Sequence, residues 1–333
     1  MRKQNNEEVF FDIVNRTVSD PVWMPKFTTP NHIKIFPSEK KYEFRQEDSL
    51  CIVYVLWENL TYLKLAYLSL LTQIKYTDAL TFDVRFYVHS KIYAYAVKIL
   101  GSLIDVEKIV QVEGVEYMRY YLCETLQEEY ETVVFCDSDA FMLGNPKNDF
   151  YRGLKKLSDE KLNRIICKAP TTSVREALEH RRCTFGRMPL IAKDRKDMVE
   201  FFSRITKISR ERIDELTSGE GIWPLGGFHI VGNHLFKEDR EDFSMWSNVF
   251  MAIDYPCDET FWKLWVEKYS YEIFDLEKNS YLTWTFDMER EDYYIREKAW
   301  LHDGTTHFFH PFVGRNCEYP QLLEFFEWIQ FSE

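Results

Sequence analysis

Glycine is scarce in this chain, 12 of 333 residues, and none of it follows the first strand-like run in a pattern that cradles phosphates. That run is Leu50-Cys51-Ile52-Val53-Tyr54-Val55-Leu56-Trp57, and Glu58-Asn59 comes next, with neither G-x-G-x-x-G nor G-x-x-x-x-G-K-[ST]. A dinucleotide-dependent dehydrogenase or a P-loop enzyme needs such a loop, because only glycine lets backbone N–H groups approach a pyrophosphate so closely. Both classes are disfavoured. Positive charge is also short: 42 Lys and Arg against 54 Asp and Glu leave a formal net charge of -12. A chain of that balance is not one that coats nucleic acid, although a local site with a metal can still hold a nucleotide. Long apolar runs are missing too, so no membrane span is expected. Met1 to Glu8 is polar and charged, and no secretory signal is expected there.

The seven cysteines, at 51, 123, 136, 167, 183, 257 and 317, are scattered, odd in number and without a C-x-x-C pair. They suggest neither a zinc knuckle nor a disulfide framework. Buried thiols in a reducing compartment fit them best, and the expected location is cytoplasmic.

What the chain does have is apolar and aromatic residues, 45% and 17%, ample for a core. Residues 1–48, with prolines at 21, 25, 30 and 37, read as an N-terminal extension. From 49 the pattern becomes regular. Strands are expected at 50–57, 82–88, 108–112 and 132–136, with helices at 61–74, 93–104 and 117–129 between them. Strand alternating with helix over this length means a mostly parallel α/β sheet, whose ligands sit at the carboxyl ends of the strands. Beyond Gly144-Asn145-Pro146 the reading is coarser: strands at 164–170, 228–231, 271–274 and 280–286, helices at 198–208, 211–216 and 260–269. One domain over 49–318 is expected, with a nucleotide-binding half at 49–145 and an acceptor half at 146–318. Residues 319–333 are expected to form an amphipathic, aromatic helix that packs on the domain or touches a membrane surface.

The chemistry concentrates at Thr132-Val133-Val134-Phe135-Cys136-Asp137-Ser138-Asp139. A buried strand runs into two carboxylates spaced i and i+2, which share a face if the backbone stays extended. Two such carboxylates repel each other and lose solvation unless a divalent cation joins them. Asp-Ser-Asp is equally the composition of a polar turn. A second stretch, Gly221-Ile222-Trp223-Pro224-Leu225-Gly226-Gly227-Phe228-His229-Ile230-Val231-Gly232, sets a glycine pair beside aromatics. It is either a plain turn before an edge strand or a sugar-sized shelf of low side-chain bulk. Asp258-Glu259 opens an expected helix, where acidic residues are also ordinary caps. Three of the eight histidines, His302, His307 and His310, fall within nine residues. In extended backbone His307 and His310 point to opposite faces, so at most one meets a metal. Imidazole favours manganese, iron or zinc over calcium.

In this order the segments resemble the metal-dependent glycosyltransferases of the GT-A fold. "VVFCDSDAFML" looks like the Asp-x-Asp metal motif, "GIWPLGGFHIVG" like the middle segment, "CDETFW" like the acidic pair and "HFFHPF" like the terminal histidine strand. The resemblance covers roughly residues 50–315. It implies a Rossmann-like, mostly parallel central sheet with flanking helices and a smaller acceptor-side subregion. Asp137 and Asp139 would bind Mn2+ (or Mg2+), with Ser138 between them, and pin the diphosphate of a nucleoside-diphosphate sugar, a UDP-sugar before a GDP-sugar. His307 would be the further ligand, with His310 as substitute. Arg119, on the helix before the metal strand, would contact donor phosphate or sugar. Tyr54 and Asn59 would lie by the base and ribose, and Gly226 and Gly227 by the donor or acceptor. The glycine and lysine that commonly follow the terminal histidine are replaced by Pro311 and Phe312.

The implied reaction moves the sugar to a hydroxyl of a glycan or other acceptor. For an inverting transfer one carboxylate takes the acceptor proton: Glu259 or Asp258 first, then Asp287. Trp223, Phe228 and Trp262 are stacking surfaces for an acceptor sugar or core residues. Three alternatives stand beside this reading. A phosphatase with an Asp nucleophile would need a threonine-like residue soon after the second Asp, where Ala140-Phe141 stands. A sugar-nucleotide nucleotidyltransferase would need a glycine-rich basic loop after the first strand, and a non-catalytic carbohydrate-binding protein would keep the fold without turnover.

Overall fold

The computed structural model describes residues 35, 38–43, 50–76, 82–113, 126, 129–130, 132–142, 164–167, 172–173, 194–218, 222–223, 228–232, 240–252, 264–265, 267–269, 272–275, 281–283 and 308–310. Its centre is a sheet in the order β10-β6-β9-β4-β1-β2-β3. The strands are β1 (Leu50–Leu56), β2 (Asp83–His89), β3 (Ile109–Val112), β4 (Thr132–Cys136), β6 (Arg164–Cys167), β9 (Phe228–Gly232) and β10 (Glu272–Asp275). β1 pairs in parallel with both β2 and β4, β2 with β3, and β6 with β10. β9 runs against both β4 and β6. Every strand except β9 therefore points its carboxyl end to one edge. This is a Rossmann-like, mostly parallel α/β sheet.

Strands buried on both faces need apolar residues at every position, and β1 supplies them: Leu50, Cys51, Ile52, Val53, Tyr54 and Leu56 are all 2% exposed or less. Leu50, Ile52, Tyr54 and Leu56 share a core with Phe82, Val84, Phe86 and Val88, which are spaced by two as a pleated strand requires. Over this face lie α1 (Leu60–Tyr76) and α2 (Ser90–Leu100). α1 is apolar almost all round, as a helix between two layers must be. Leu63, Leu65, Ala66, Tyr67, Leu68 and Leu70 are buried, and the helix also meets β5 (Phe141–Met142). Two further helices, α3 (Arg195–Thr206) and α4 (Arg210–Ser218), pack on each other, and α5 (Arg240–Ala252) follows β9. α5 was not foreseen: its stripe of Phe243, Trp246 and Val249, buried in the structure, is helically spaced but sits among polar and charged neighbours.

Two small sheets complete the fold. β11 (Tyr281–Thr283), β12 (Phe308–His310) and β5 form one; β7 (Thr172–Ser173) and β8 (Ile222–Trp223) form the other. The stretch Phe228–Val231 is a strand as expected, but β9 stands inside the sheet between β4 and β6 and is not an edge strand. Among the described residues no helix is long and apolar enough to cross a membrane, and Cys51 and Cys136 are buried free thiols. The expected extension at 1–48, nearly all of the helix at 117–129, the helix start at 258–263 and the helix at 319–333 lie outside the described residues.

Candidate functional site

The acidic segment is a turn, not a continuation of β4. Its frame is Asp137 to Ala140, closed by the Ala140 N–H donating to the Asp137 carbonyl at 3.1 Å. The shared-face argument for an extended strand therefore does not apply, and the polar-turn and site readings of Asp-Ser-Asp are compatible. Aspartate at the first position of a turn is chemically ordinary. Its burial is less so: Asp137 is half-buried, while Ser138 and Asp139 are each only 9% exposed. A carboxylate so enclosed needs compensation of its charge.

Backbone register gathers the other segments at this edge. Phe228, the first residue of β9, lies opposite Cys136, the last of β4, so the antiparallel strand starts where the parallel one ends. Gly226 and Gly227 immediately precede it in sequence and lie outside the described residues. β12 runs antiparallel to β5, with Phe308 opposite Met142 and Phe309 opposite Phe141. Each step forward along β12 is thus a step back along β5, and His310 follows Phe309 toward Ala140 and the acidic turn. His307 is outside the described residues. So are Arg119, Asp258, Glu259 and Asp287.

The end of β1 reaches the same edge. Asn59 caps α1: its Oδ1 accepts the Thr61 N–H at 2.8 Å, and its carbonyl accepts that of Tyr62 at 3.1 Å. Beside it, Glu58 Oε2 takes Lys91 Nζ at 2.6 Å, and Glu58 Oε1 lies 3.3 Å from His89 Nε2. His89 Nδ1 accepts the Lys91 N–H at 3.2 Å. That bond places the imidazole proton on Nε2, facing Glu58.

Tyr54 departs from its expected place. It is 0% exposed, its ring stacks on Phe86 at a 4.7 Å centroid distance, and its hydroxyl is 2.8 Å from Ser69 Oγ. A side chain so enclosed does not touch base or ribose. The reason is pleat parity: Tyr54 shares the helix-facing side of β1 with Ile52 and Leu56. Sequence reading also missed the residues that hold the turn from behind. Ser69 Oγ donates to the Ala140 carbonyl at 2.5 Å, and Thr72 Oγ1 accepts the Met142 N–H at 2.9 Å. The available signal was hydroxyls and an amide at i, i+3 and i+4 on a largely apolar helix.

The opposite edge of the sheet holds a second cluster. Asp83, 1% exposed, receives Lys108 Nζ and the Tyr130 hydroxyl, and its Oδ1 also accepts the Val84 N–H at 2.8 Å. Arg85 reaches Tyr130 at 3.1 Å. Burial pushes the Asp83 carboxyl up, but the bonds from Lys108, Tyr130 and Val84 outweigh it and hold it below the usual aspartate value. Burial and the charge of Asp83 push the neighbouring Cys51 thiol well up. This cluster lies at the amino-terminal edge and takes no part in the site.

Two carboxylates at a strand end, with an imidazole-bearing strand paired to the next segment, are a donor set that suits manganese or magnesium. Among the described residues, no group of three or more His, Cys, Asp or Glu side chains is gathered closely enough to hold a metal ion.

No family model and no curated protein matches the chain. Solved structures do. Mouse xyloside xylosyltransferase 1 is similar at 11% identity and a TM-score of 0.44, over 82% of this chain and 99% of that one. The WbbM bifunctional glycosyltransferase is similar at 13% and 0.46, over 83% of this chain and 47% of that one. An active-site mutant of LgtC is similar at 12% and 0.43, over 85% and 95%. The first two are glycosyltransferases by name. At such identities and TM-scores the likeness says nothing of the chemistry of this chain.

Proposed function

We propose that the chain is a metal-assisted glycosyltransferase that moves a sugar from a nucleoside-diphosphate sugar to a hydroxyl acceptor. The observation that carries this reading is the enclosed acidic turn, Asp137-Ser138-Asp139, at the carboxyl end of β4. There the start of β9 and the end of β12 come to the same edge by register. Asp137 and Asp139 are the proposed metal ligands. The register favours His310 over His307 as the third. When bound, a divalent cation supplies positive charge against the oxygens of the departing diphosphate.

The chain's own residues supply position and proton transfer. Asn59, at the start of α1, is proposed to face the nucleoside with the side-chain groups its cap leaves over. Arg119 is proposed for the donor phosphates, and Gly226 and Gly227 for close approach of backbone to the donor. An inverting transfer needs a carboxylate to accept the acceptor hydroxyl's proton, and Glu259, Asp258 and Asp287 are the candidates in that order. UDP-sugars are the first donors to try, then GDP-sugars.

A panel of UDP- and GDP-sugars with Mn2+, read by release of free nucleotide, tests this reading. The expected result is turnover of one donor above the rest, abolished in Asp139→Ala. Equal background release from every donor, unaltered by that substitution, would contradict it.

A further inference from the structure

Ser69, Thr72 and Gln73 are three polar residues in the second half of α1, and all three are 0% exposed. Buried polar groups persist when hydrogen-bonded, and the direction of the bonds here can be worked out. The Ala140 carbonyl only accepts, so Ser69 spends its proton on it, at 2.5 Å. Ser69 Oγ then accepts from the Tyr54 hydroxyl, at 2.8 Å. Tyr54, its proton spent, accepts from the Gln73 amide N–H, which fixes the orientation of that amide. Gln73 to Tyr54 to Ser69 to Ala140 is a chain running one way, the arrangement in which each bond strengthens the next. Thr72 makes a second tie: its hydroxyl donates to the Ser69 carbonyl at 2.7 Å and accepts the Met142 N–H at 2.9 Å. On the strand side of the turn, the Cys136 thiol lies 3.5 Å from the Asp137 carbonyl. The segment that follows the acidic turn is thus tied by buried hydroxyls of α1.

We propose that Ser69 and Thr72 are positioning residues for the acidic turn: they fix the main chain just after Asp139 and so set its two carboxylates for a divalent cation. This rests on the metal reading of Asp137 and Asp139, and it adds that α1, which contributes no ligand, tunes the affinity of the site. The tie is geometric. Ala140 accepts from Ser69 through its carbonyl while its N–H closes the turn on Asp137, so a shift of Ala140 moves Asp139 with it. Partners that orient metal ligands from behind typically matter by about 10- to 100-fold in metal affinity.

The test titrates Mn2+ into the full-length chain with UDP present and reads free Mn2+ by electron paramagnetic resonance. The variants are Ser69→Ala, Thr72→Val, Thr72→Ser and Asp139→Ala. Thr72→Val keeps the shape and loses the hydroxyl; Thr72→Ser keeps the hydroxyl. Ser69→Ala and Thr72→Val are expected to weaken Mn2+ binding by about tenfold or more, with Thr72→Ser close to the parent chain. Should Ser69→Ala not fold, as judged by circular dichroism, the Thr72 pair alone carries the comparison. Parent-like affinity in Thr72→Val, alongside loss in Asp139→Ala, would overturn the positioning role and leave the metal reading standing. Parent-like affinity in Asp139→Ala would remove the metal reading and the positioning role together.

Discussion

Asp83 shows most clearly how single residues divide structure from function in this chain. It is a fully buried carboxylate, yet it is matched on its own edge of the sheet by Lys108, Tyr130 and a backbone N–H. Removing one partner of such a group leaves the other charge buried and uncompensated. Asp83→Ala is therefore expected to lower stability by about 3 kcal/mol in urea unfolding. The carboxyl is held below its ordinary value in the folded protein, so its contribution is complete above the unfolded value of about 3.9. It is lost as the pH falls further, through the folded value. The parent chain should show a steep loss of urea stability below about pH 4, and Asp83→Asn a shallower one over the same range. Asp139, 9% exposed, stands instead in the turn at the carboxyl end of β4.

At the scale of elements, the sequence disclosed the strands better than their company. β1 and β4 were legible because continuous apolar runs of strand length end in polar residues, and the Asp-Ser-Asp position at a strand end followed directly. That β9 lies between β4 and β6 was not legible: an antiparallel strand inserted in a parallel sheet is a matter of pairing, which single-strand patterns do not encode. Tyr54 was misplaced because its role depends on which face of β1 meets α1. The ties from Ser69 and Thr72 escaped for the same reason, being contacts between residues some seventy positions apart.

Helix ends offer a direct check at this scale. α3 stops at Lys207, which has a φ of 60° and donates its N–H to the Ser203 carbonyl. A non-glycine residue pays for that left-handed geometry, so Lys207→Gly should stabilise the protein by roughly 1 kcal/mol in thermal unfolding. The histidine question is also one of elements, since β12 meets β5 in a fixed register. Loss of Mn2+ affinity is expected in His310→Ala and not in His307→Ala, measured by the same free-Mn2+ titration; the reverse would mean that the side chain comes from the other end of the strand.

For the molecule as a whole, the Asp83 cluster and the proposed site lie at opposite ends of the strands. One edge is closed by the Asp83 cluster and holds the strands together. The other gathers the ends of β1 and β4, the start of β9 and, through β5, the end of β12, all around a single acidic turn. Ligands of open α/β sheets bind outside the carboxyl ends of the strands, which is where the proposed site lies. The central claim is that this turn binds a diphosphate through a divalent cation, and calorimetry of UDP binding with and without Mn2+ tests it most directly. The account expects binding that needs Mn2+ and disappears in Asp139→Ala; UDP binding that is indifferent to Mn2+ and survives that substitution would contradict it.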